Sequence, residues 1–268
     1  MTIAMGLTYR LGMFGLCLLP ALFVSPSLAQ PGAGYSWKLV DGFWAPEAKQ
    51  GVAADKDHIF VVTNDRVVKY EYLSRRLLAT TKLDASVRHL NSAFVWDGDV
   101  YLANSNYPEK PESSQIYRLR VESMKLDKFH DFGNYGGSLV WCVRDKDYWW
   151  CNFAHYGDEN RNTFLARFDL SWRETGRWTY PPEVFSRIGK MSFSGGLWYK
   201  DELLASDHDN GRLYRFVVPD QGEELRFLGE VVAPLTGQGF AANPRTGGLI
   251  GIDRARRKVL LMEPSVAP

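Results

Sequence analysis

Ser92-Ala-Phe-Val-Trp-Asp-Gly-Asp-Val-Tyr-Leu-Ala103 consists of two short apolar runs joined by a tight Asp-Gly turn. The same unit occurs four more times, at intervals of about 41 to 55 residues. Its other copies are Gly51–Val62, Ser138–Cys151, Gly195–Ala205 and Gly239–Gly251. Each copy is followed by a third apolar run, as a blade requires. This spacing predicts an all-β fold, a β-propeller with one four-stranded antiparallel blade per copy.

The copies and the segments around them predict how the ring is completed. Five copies predict five blades, and a sixth, degenerate blade is the alternative. Tyr35–Val40 is an additional strand before the first copy. We expect it to complete the last blade, whose chain ends soon after its third strand, since such pairing removes an exposed sheet edge. Arg76–Thr80 and Arg226–Val231 have the pattern of outermost strands.

The amino-terminal residues have the pattern of an export signal. Arg10 precedes the apolar run Leu11–Val24, and Ser27-Leu28-Ala29 is a small-x-small cleavage site. We therefore expect a signal peptide over residues 1–29 and a single propeller domain over residues 30–268, in the periplasm or secreted. The alternative is an uncleaved anchor, but the apolar run is short and interrupted, so no stable membrane span is expected after cleavage.

The charge balance excludes one class of partner. The chain has a formal net charge of +1, and its 32 basic residues form no basic stripe, which argues against nucleic acid as a partner.

Cys142 and Cys151 flank a hairpin whose turn is Lys146-Asp147. Counting outward from that turn places the two cysteines opposite each other in a non-hydrogen-bonded pair, where Cα atoms lie about 4.5 Å apart. This is near the short end of disulfide geometry. An exported chain meets oxidising conditions, so we predict a disulfide. Two buried free thiols are the alternative.

The blade pattern also predicts which polar residues meet. In a propeller, the loop before each inner strand and the loop after each second strand open on one face, called here the top face. Loops on a rigid scaffold commonly carry function. The candidate residues on these loops are Gln50, His89, Asn91, Asn104, His155, Asp207, His208 and Gln238.

Other polar residues in the same loops have a simpler explanation. Asn64, Asp65, Asn210, Asp253 and Arg254 are assigned to turn formation, because Asn and Asp stabilise turns through their own backbone. Asp207-His208-Asp209 differs, since a histidine between carboxylates would have its charged form stabilised.

Two blades resemble the SMP-30/gluconolactonase family of calcium-dependent lactonase propellers and their strictosidine-synthase-like relatives. The matching residues are Asp97–Ala103 with Ile116–Leu119, and Asp201–Asp207 with Leu213–Phe216. The resemblance implies a metal-holding top face, with a Glu at the first inner strand, Asn residues from later blades and an Asp that serves the chemistry. It also implies six blades.

The chain departs from that family at the chemical positions. Gln50-Gly51-Val52 occupies the place of Glu-Gly-Pro, and Gln238-Gly239-Phe240 offers no Asp. The segment Arg88–Asn91 retains one amide ligand, Asn91. Hard cations prefer carboxylate oxygens, so calcium chemistry is not expected to carry over intact. The candidate ligands of a divalent metal, calcium or zinc, are His89, Asn91, His155 and His208.

Two hypotheses about function follow. The first is a top-face pocket that binds a small polar molecule or sugar derivative, with metal-assisted hydrolysis of a lactone or ester as its catalytic form. His89, Asp207 and His208 are its candidate catalytic residues, and Gln50, Asn91, Asn104, His155 and Gln238 its candidate ligand-binding residues. The alternative is a non-catalytic scaffold that binds a protein partner.

Overall fold

The computed structural model describes residues 35–266, and the predicted signal peptide lies outside them. These residues form five four-stranded antiparallel sheets, arranged as the blades of a propeller. The predicted all-β, five-bladed architecture is therefore confirmed, and the described residues contain no sixth blade.

In each of blades 1 to 4, the four strands are consecutive in sequence, and the first of them lies nearest the axis. Blade 5 combines the last three strands with the first strand of the described chain. Before the blades comes β1 (Tyr35–Trp44). Blades 1 and 2 contain β2 (Gly51–Ala54), β3 (His58–Val62), β4 (Val67–Glu71), β5 (Leu77–Thr80), β6 (His89–Trp96), β7 (Asp99–Ser105), β8 (Ser114–Arg120) and β9 (Lys125–Gly133). Blades 3 and 4 contain β10 (Ser138–Arg144), β11 (Trp149–Ala154), β12 (Phe164–Phe168), β13 (Glu174–Thr179), β14 (Gly195–Tyr199), β15 (Glu202–Ser206), β16 (Arg212–Val217) and β17 (Arg226–Val232). Blade 5 contains β18 (Ala241–Ala242), β19 (Leu249–Asp253) and β20 (Lys258–Val266).

The first strand closes the ring. β1 pairs antiparallel with β20, from Trp44 opposite Lys258 to Tyr35 opposite Val266, and becomes the outermost strand of blade 5. This confirms the closure expected from the sequence. The last blade thereby gains its fourth strand from the opposite end of the chain.

Two outermost strands and two short helices were not predicted. β9 and β13 complete blades 2 and 3, and their side chains are mostly exposed or half-buried. A 3₁₀ helix spans Gly157–Asn162, and helix α1 spans Pro182–Ile188. Helix α1 buries Val184, Phe185 and Ile188 against the core between blades 3 and 4.

The core lies between neighbouring blades. Val52 and Ile59 of blade 1 pack with Ile250 and Ile252 of blade 5, and all four side chains are buried. Strand side chains alternate between the two faces of a sheet, so each buried strand contributes to the cores on both of its sides. This packing positions the loops at the two ends of the blades.

The inner strands meet near the axis around Gly239. A Cβ atom on Gly239 would lie 2.8 Å from both Cα and Oγ of Ser92 in blade 2. Cβ atoms on Gly51 and on Gly195 would lie 3.1 and 3.0 Å from the Gly239 Cα. Segments of blades 1, 2 and 4 thus contact blade 5 at one level. These inner segments therefore approach one another closely at a level between the top face and the opposite, bottom face.

The predicted disulfide is present. Cys142 and Cys151 are cross-strand partners with Cα atoms 4.2 Å apart. A disulfide fits a protein of an oxidising compartment, such as the periplasm or the cell exterior. Within the described residues, no helix is long and apolar enough to cross a membrane.

Gly239→Ala is expected to destabilise the protein by about 1–3 kcal/mol, because the new methyl group would meet the Ser92 backbone, which cannot rotate away. Urea unfolding monitored by tryptophan fluorescence measures the change. The control is Gly98→Asn, at a turn position with φ +80° and nothing within 4 Å, where Asn is tolerated. Equal stability of the two variants would contradict close contact at the axis.

Replacing both Cys142 and Cys151 by alanine is expected to lower the free energy of unfolding by about 2–3 kcal/mol, since the bridge closes a short loop. Differential scanning calorimetry with and without dithiothreitol gives the measurement. Reductant should lower the melting temperature of the wild type and leave that of the double variant unchanged. A wild type insensitive to reductant would refute a stabilising disulfide.

Candidate functional site

The top face brings Gln50 and His89 together from two blades. Gln50 immediately precedes β2 and is buried, and His89 begins β6. The Gln50 amide Nε2 lies 3.3 Å from Nε2 of His89 and donates to Oδ1 of Asn64 at 2.5 Å. Since an amide nitrogen only donates, Nε2 of His89 is the acceptor in this contact. The imidazole is therefore held by blade 1.

Arg254 joins blades 4 and 5 on the same face. It directly follows β19, and its Nη1 lies 3.2 Å from Nε2 of His208. A guanidinium has no acceptor, so Nε2 of His208 accepts and Nδ1 carries the proton. That Nδ1 lies 2.5 Å from Oδ1 of Asp209. The backbone N–H of Arg254 donates to Oγ1 of Thr236 at 2.9 Å, which fixes the start of the loop.

Arg254 also acts on His89. Burial lowers the pKa of His89 below its ordinary value of 6.5, a hydrogen bond to the backbone of Tyr107 opposes the shift, and the Arg254 cation lowers the pKa further. The Arg254 guanidinium therefore acts on two histidines from different blades: it donates to Nε2 of His208, and its charge lowers the pKa of His89. The lowered pKa favours the uncharged imidazole of His89.

A cavity of about 580 Å³ lies beside Arg254, between blades 1 and 5, and its lining carries more cations than anions. Its carboxylates already have partners. Hydrogen bonds from Arg66 and then Thr63 lower the pKa of Asp65 to about 2, and Glu47 accepts the hydroxyl of Tyr70 at 2.6 Å. The remaining cationic side chains of the lining are Lys49, Arg254 and Arg257. This arrangement suits an anionic group.

Aromatic rings border the site on the side of blades 2 and 3. The ring of His89 lies 5.7 Å from that of Tyr107, edge to face, and Tyr107 lies 4.6 Å from Tyr156. Burial raises the pKa of Tyr156, which keeps its hydroxyl protonated. The two tyrosines line a separate cavity of about 190 Å³. Pairwise contacts with Gln50, Tyr107 and Tyr156 thus link His89 to blades 1 and 3, as Arg254 links blades 4 and 5.

Asn91 and Asn104 support this region through the backbone. Asn91 Nδ2 donates to the carbonyls of His89 and Leu139, at 3.2 and 3.4 Å. Asn104 Oδ1 accepts the N–H groups of Arg88 and His89, at 3.2 and 3.1 Å. Both amides are buried, so their role in the structure is to hold the start of β6 and with it His89.

Asp207 and His155 are engaged within their own blades. Asp207 is fully buried, and its carboxylate accepts from the N–H groups of Asp209 and Asn210, the Asn210 amide and the Tyr214 hydroxyl. Burial raises its pKa against these hydrogen bonds. Nε2 of His155 lies 2.7 Å from the Gly136 carbonyl. Neither side chain contacts the His89–Arg254–His208 group.

Gln238 is the predicted site residue with an unused donor. It is buried, at φ +72°, and its carbonyl accepts the Ser206 hydroxyl at 2.6 Å. Its Nε2 has no hydrogen-bond partner in the described structure. Buried amides normally have hydrogen-bond partners, so the Gln238 amide nitrogen could donate to an acceptor on a ligand.

These residues do not fit the divalent cation that the resemblance implied. Within residues 35–266, no group of three or more His, Cys, Asp or Glu side chains could hold a metal ion. The oxygens of Asp207 already receive four donors, and the guanidinium of Arg254 would repel a cation at Nε2 of His208.

Sequence reasoning missed Arg254, which it assigned to a turn, and the tyrosine pair. The available signal was positional. Arg254 and Tyr107 follow second strands, in the same set of loops that supplied His155 and His208. A cation at such a position was as strong an indication as a histidine.

Comparisons with known proteins identify a shared fold. No protein-family profile matches the sequence, and no curated protein matches it. The glutaminyl cyclase of Myxococcus xanthus superimposes with a TM-score of 0.59 at 10% identity, covering 87% of this chain and 98% of that chain. A luciferin-regenerating enzyme superimposes with a TM-score of 0.54 at 11% identity, covering 87% and 95%. At such identities the likeness establishes the β-propeller alone, and the SMP-30 family itself is not confirmed.

Proposed function

We propose that the top face binds a small, hydroxyl-rich organic acid of the sugar-acid type, in a protein exported to the periplasm or beyond. The observation that carries this proposal is the position of Arg254. It contacts His208, lowers the pKa of His89 and lines a cavity whose carboxylates are already occupied.

The chemistry of the surrounding groups supports this ligand class. Arg254 and Lys49 supply positive charge for a carboxylate, and a guanidinium binds carboxylates through paired N–H donors. The amides of Gln50 and Gln238 can exchange hydrogen bonds with hydroxyl groups. Tyr107 offers an apolar ring face to the carbon skeleton, a common way to contact a sugar.

Arg254→Met is expected to weaken D-gluconate binding about tenfold or more, because it removes a charged hydrogen-bond donor. Isothermal titration calorimetry measures the dissociation constant, and added sodium chloride should weaken binding to the wild type. D-sorbitol is the matched neutral probe, with a hydroxyl in place of the carboxylate. The control variant is Arg173→Gln, which changes an exposed arginine paired with Asp169 away from the site.

Arg173→Gln should leave the gluconate affinity within about twofold of the wild-type value. The proposal fails if gluconate does not bind the wild type, if D-sorbitol binds equally well, or if Arg254→Met binds gluconate like the wild type. The non-catalytic scaffold needs no Arg254 and would then be favoured. The feature that supports a scaffold is the pair of exposed apolar side chains on β1, Leu39 and Trp44, which are 52% and 66% exposed.

A second candidate function, hydrolysis of a sugar lactone to its acid, is favoured by the state of His89. A neutral imidazole can take a proton at Nε2 from a water molecule that displaces the Gln50 amide there and attacks the lactone carbonyl carbon. Arg254 would stabilise the negative charge on the carbonyl oxygen. The ring C–O bond then breaks, and the proton returns from His89 to the departing alkoxide. The product is the hydroxy acid that the site is proposed to bind.

NMR titration of the imidazole signals is expected to give a pKa for His89 below its ordinary value of 6.5, since burial and Arg254 disfavour the cation. Arg254→Met should raise this pKa. Because folding lowers the pKa of His89, protonating this residue reduces the free energy of unfolding. The stabilisation from neutral His89 is complete above pH 6.5, the ordinary value, and is lost as the pH falls through the folded-state pKa. Any hydrolysis of glucono-δ-lactone should decline over the same range.

The matched control for this titration is His58, which lies near Asp55 at 3.1 Å, away from Arg254. Its signals should not respond to Arg254→Met. A His89 pKa at or above its ordinary value, or one that Arg254→Met leaves unchanged, would remove His89 as the base in the hydrolysis proposal.

A further inference from the structure

A second cavity, of about 460 Å³, opens at the bottom face. It lies at the ends of the inner strands opposite the top-face site. Every blade contributes to its lining: Ala54–Lys56 from blade 1, Phe94–Trp96 from blade 2, Val143 and Arg144 from blade 3, Gly196–Trp198 from blade 4, and residues of Phe240–Pro244 from blade 5. Its volume is within the range of small-molecule sites.

The walls of this bottom cavity are largely apolar and aromatic. Phe94, Trp96, Leu197 and Trp198 are half-buried rather than packed fully into a core. Aromatic side chains that remain partly exposed in a concave site offer flat faces and edges to another ring. The lining of this cavity shares no residue with that of the cavity beside Arg254, and the close contacts around Gly239 lie between the two faces, so this cavity is distinct from the top-face site.

Arg144 gives the bottom cavity an unpaired charge. Its guanidinium carbon lies 5.0 Å from the Trp96 ring centroid and 5.3 Å from that of Trp149. Its Nε is buried without a hydrogen-bond acceptor, and no carboxylate within residues 35–266 forms an ion pair with it. The indole N–H of Trp198 is likewise buried without an acceptor. Buried donors of this kind normally have partners.

The carboxylate next to Arg144 in sequence and the carboxylate in the lining are both occupied by their own turns. Asp145 accepts the indole N–H of Trp150 at 2.7 Å and the backbone N–H groups of Asp147 and Tyr148. Asp55, which lines the cavity, accepts from the backbone of Asp57 and His58 and from the His58 ring. Lys56 adds a further positive charge to the lining.

We propose that the bottom cavity is a second binding site, for a planar aromatic carboxylate. The ring of the ligand packs between Trp96 and Trp198, and its carboxylate approaches Arg144. Charge complementarity favours an acid over a neutral aromatic compound, because the lining carries two cationic side chains and one carboxylate that is already hydrogen-bonded.

The test uses 1-naphthoate as the probe and 1-naphthalenemethanol as its neutral counterpart, both titrated into the full protein by calorimetry. Naphthoate should bind the wild type, and Arg144→Gln should weaken its binding about tenfold or more. The same variant should change naphthalenemethanol binding by less than about twofold. The matched control is Arg187→Gln, which alters another arginine over an aromatic ring, Phe227, outside the cavity.

A second measurement needs no variant. In protein labelled with ¹⁵N-tryptophan, naphthoate should shift the indole signals of Trp96 and Trp198 and leave that of buried Trp37 unchanged. The proposal is overturned if naphthoate fails to bind below about 1 mM, if the neutral compound binds as tightly, or if the two cavity indoles do not respond. It is also overturned if Arg254→Met, at the other face, removes naphthoate binding while Arg144→Gln does not.

Discussion

The antiparallel pairing of β1 with β20 is the interaction on which the rest of the structure depends. A propeller blade buries its faces only against two neighbours, so an open ring would expose a blade face at each end. Here the first strand of the described chain becomes the fourth strand of the last blade. The main-chain hydrogen bonds of this ladder hold blades 5 and 1 in place. They thereby hold Arg254 of blade 5 where its charge lowers the pKa of His89, which begins blade 2 and is contacted by Gln50 at the start of blade 1.

The top face shows how a polar site arises from loops that individually resemble ordinary turns. Asp207 stabilises the turn that carries His208, and Asn104 holds the backbone of His89. These buried polar residues leave the histidines in fixed orientations. The Arg254 guanidinium, in contact with His208, then favours acceptors and anions over metal ions. Charge at the site is therefore set by Arg254, with Lys49 and Arg257, rather than by carboxylates, in contrast to the calcium site that the resemblance implied.

The sequence predicted the fold well where side-chain patterning is strong. Alternation and turn position placed the inner three strands of each blade, and counting from the Lys146-Asp147 turn paired Cys142 with Cys151. It failed for β9 and β13, because outermost strands face solvent and their residues carry little apolar periodicity. It also placed its candidate residues on or beside the top-face loops, where the structure has them. It could not separate Arg254 from a turn residue, since its partners, His89 and His208, lie far away in sequence and meet it only through the blade packing.

The closure of the ring has a consequence for the order of events during biosynthesis. Tyr35 pairs with Val266, so the ladder that joins the ends of the described chain requires nearly its whole length. The loop-closure entropy of such a contact opposes folding until the remaining blades have formed. A nascent chain therefore lacks its final blade until synthesis of the last strand. Until then, the apolar side chains that blade 5 covers, such as Val52 and Ile59 of blade 1, have no neighbouring blade to pack against.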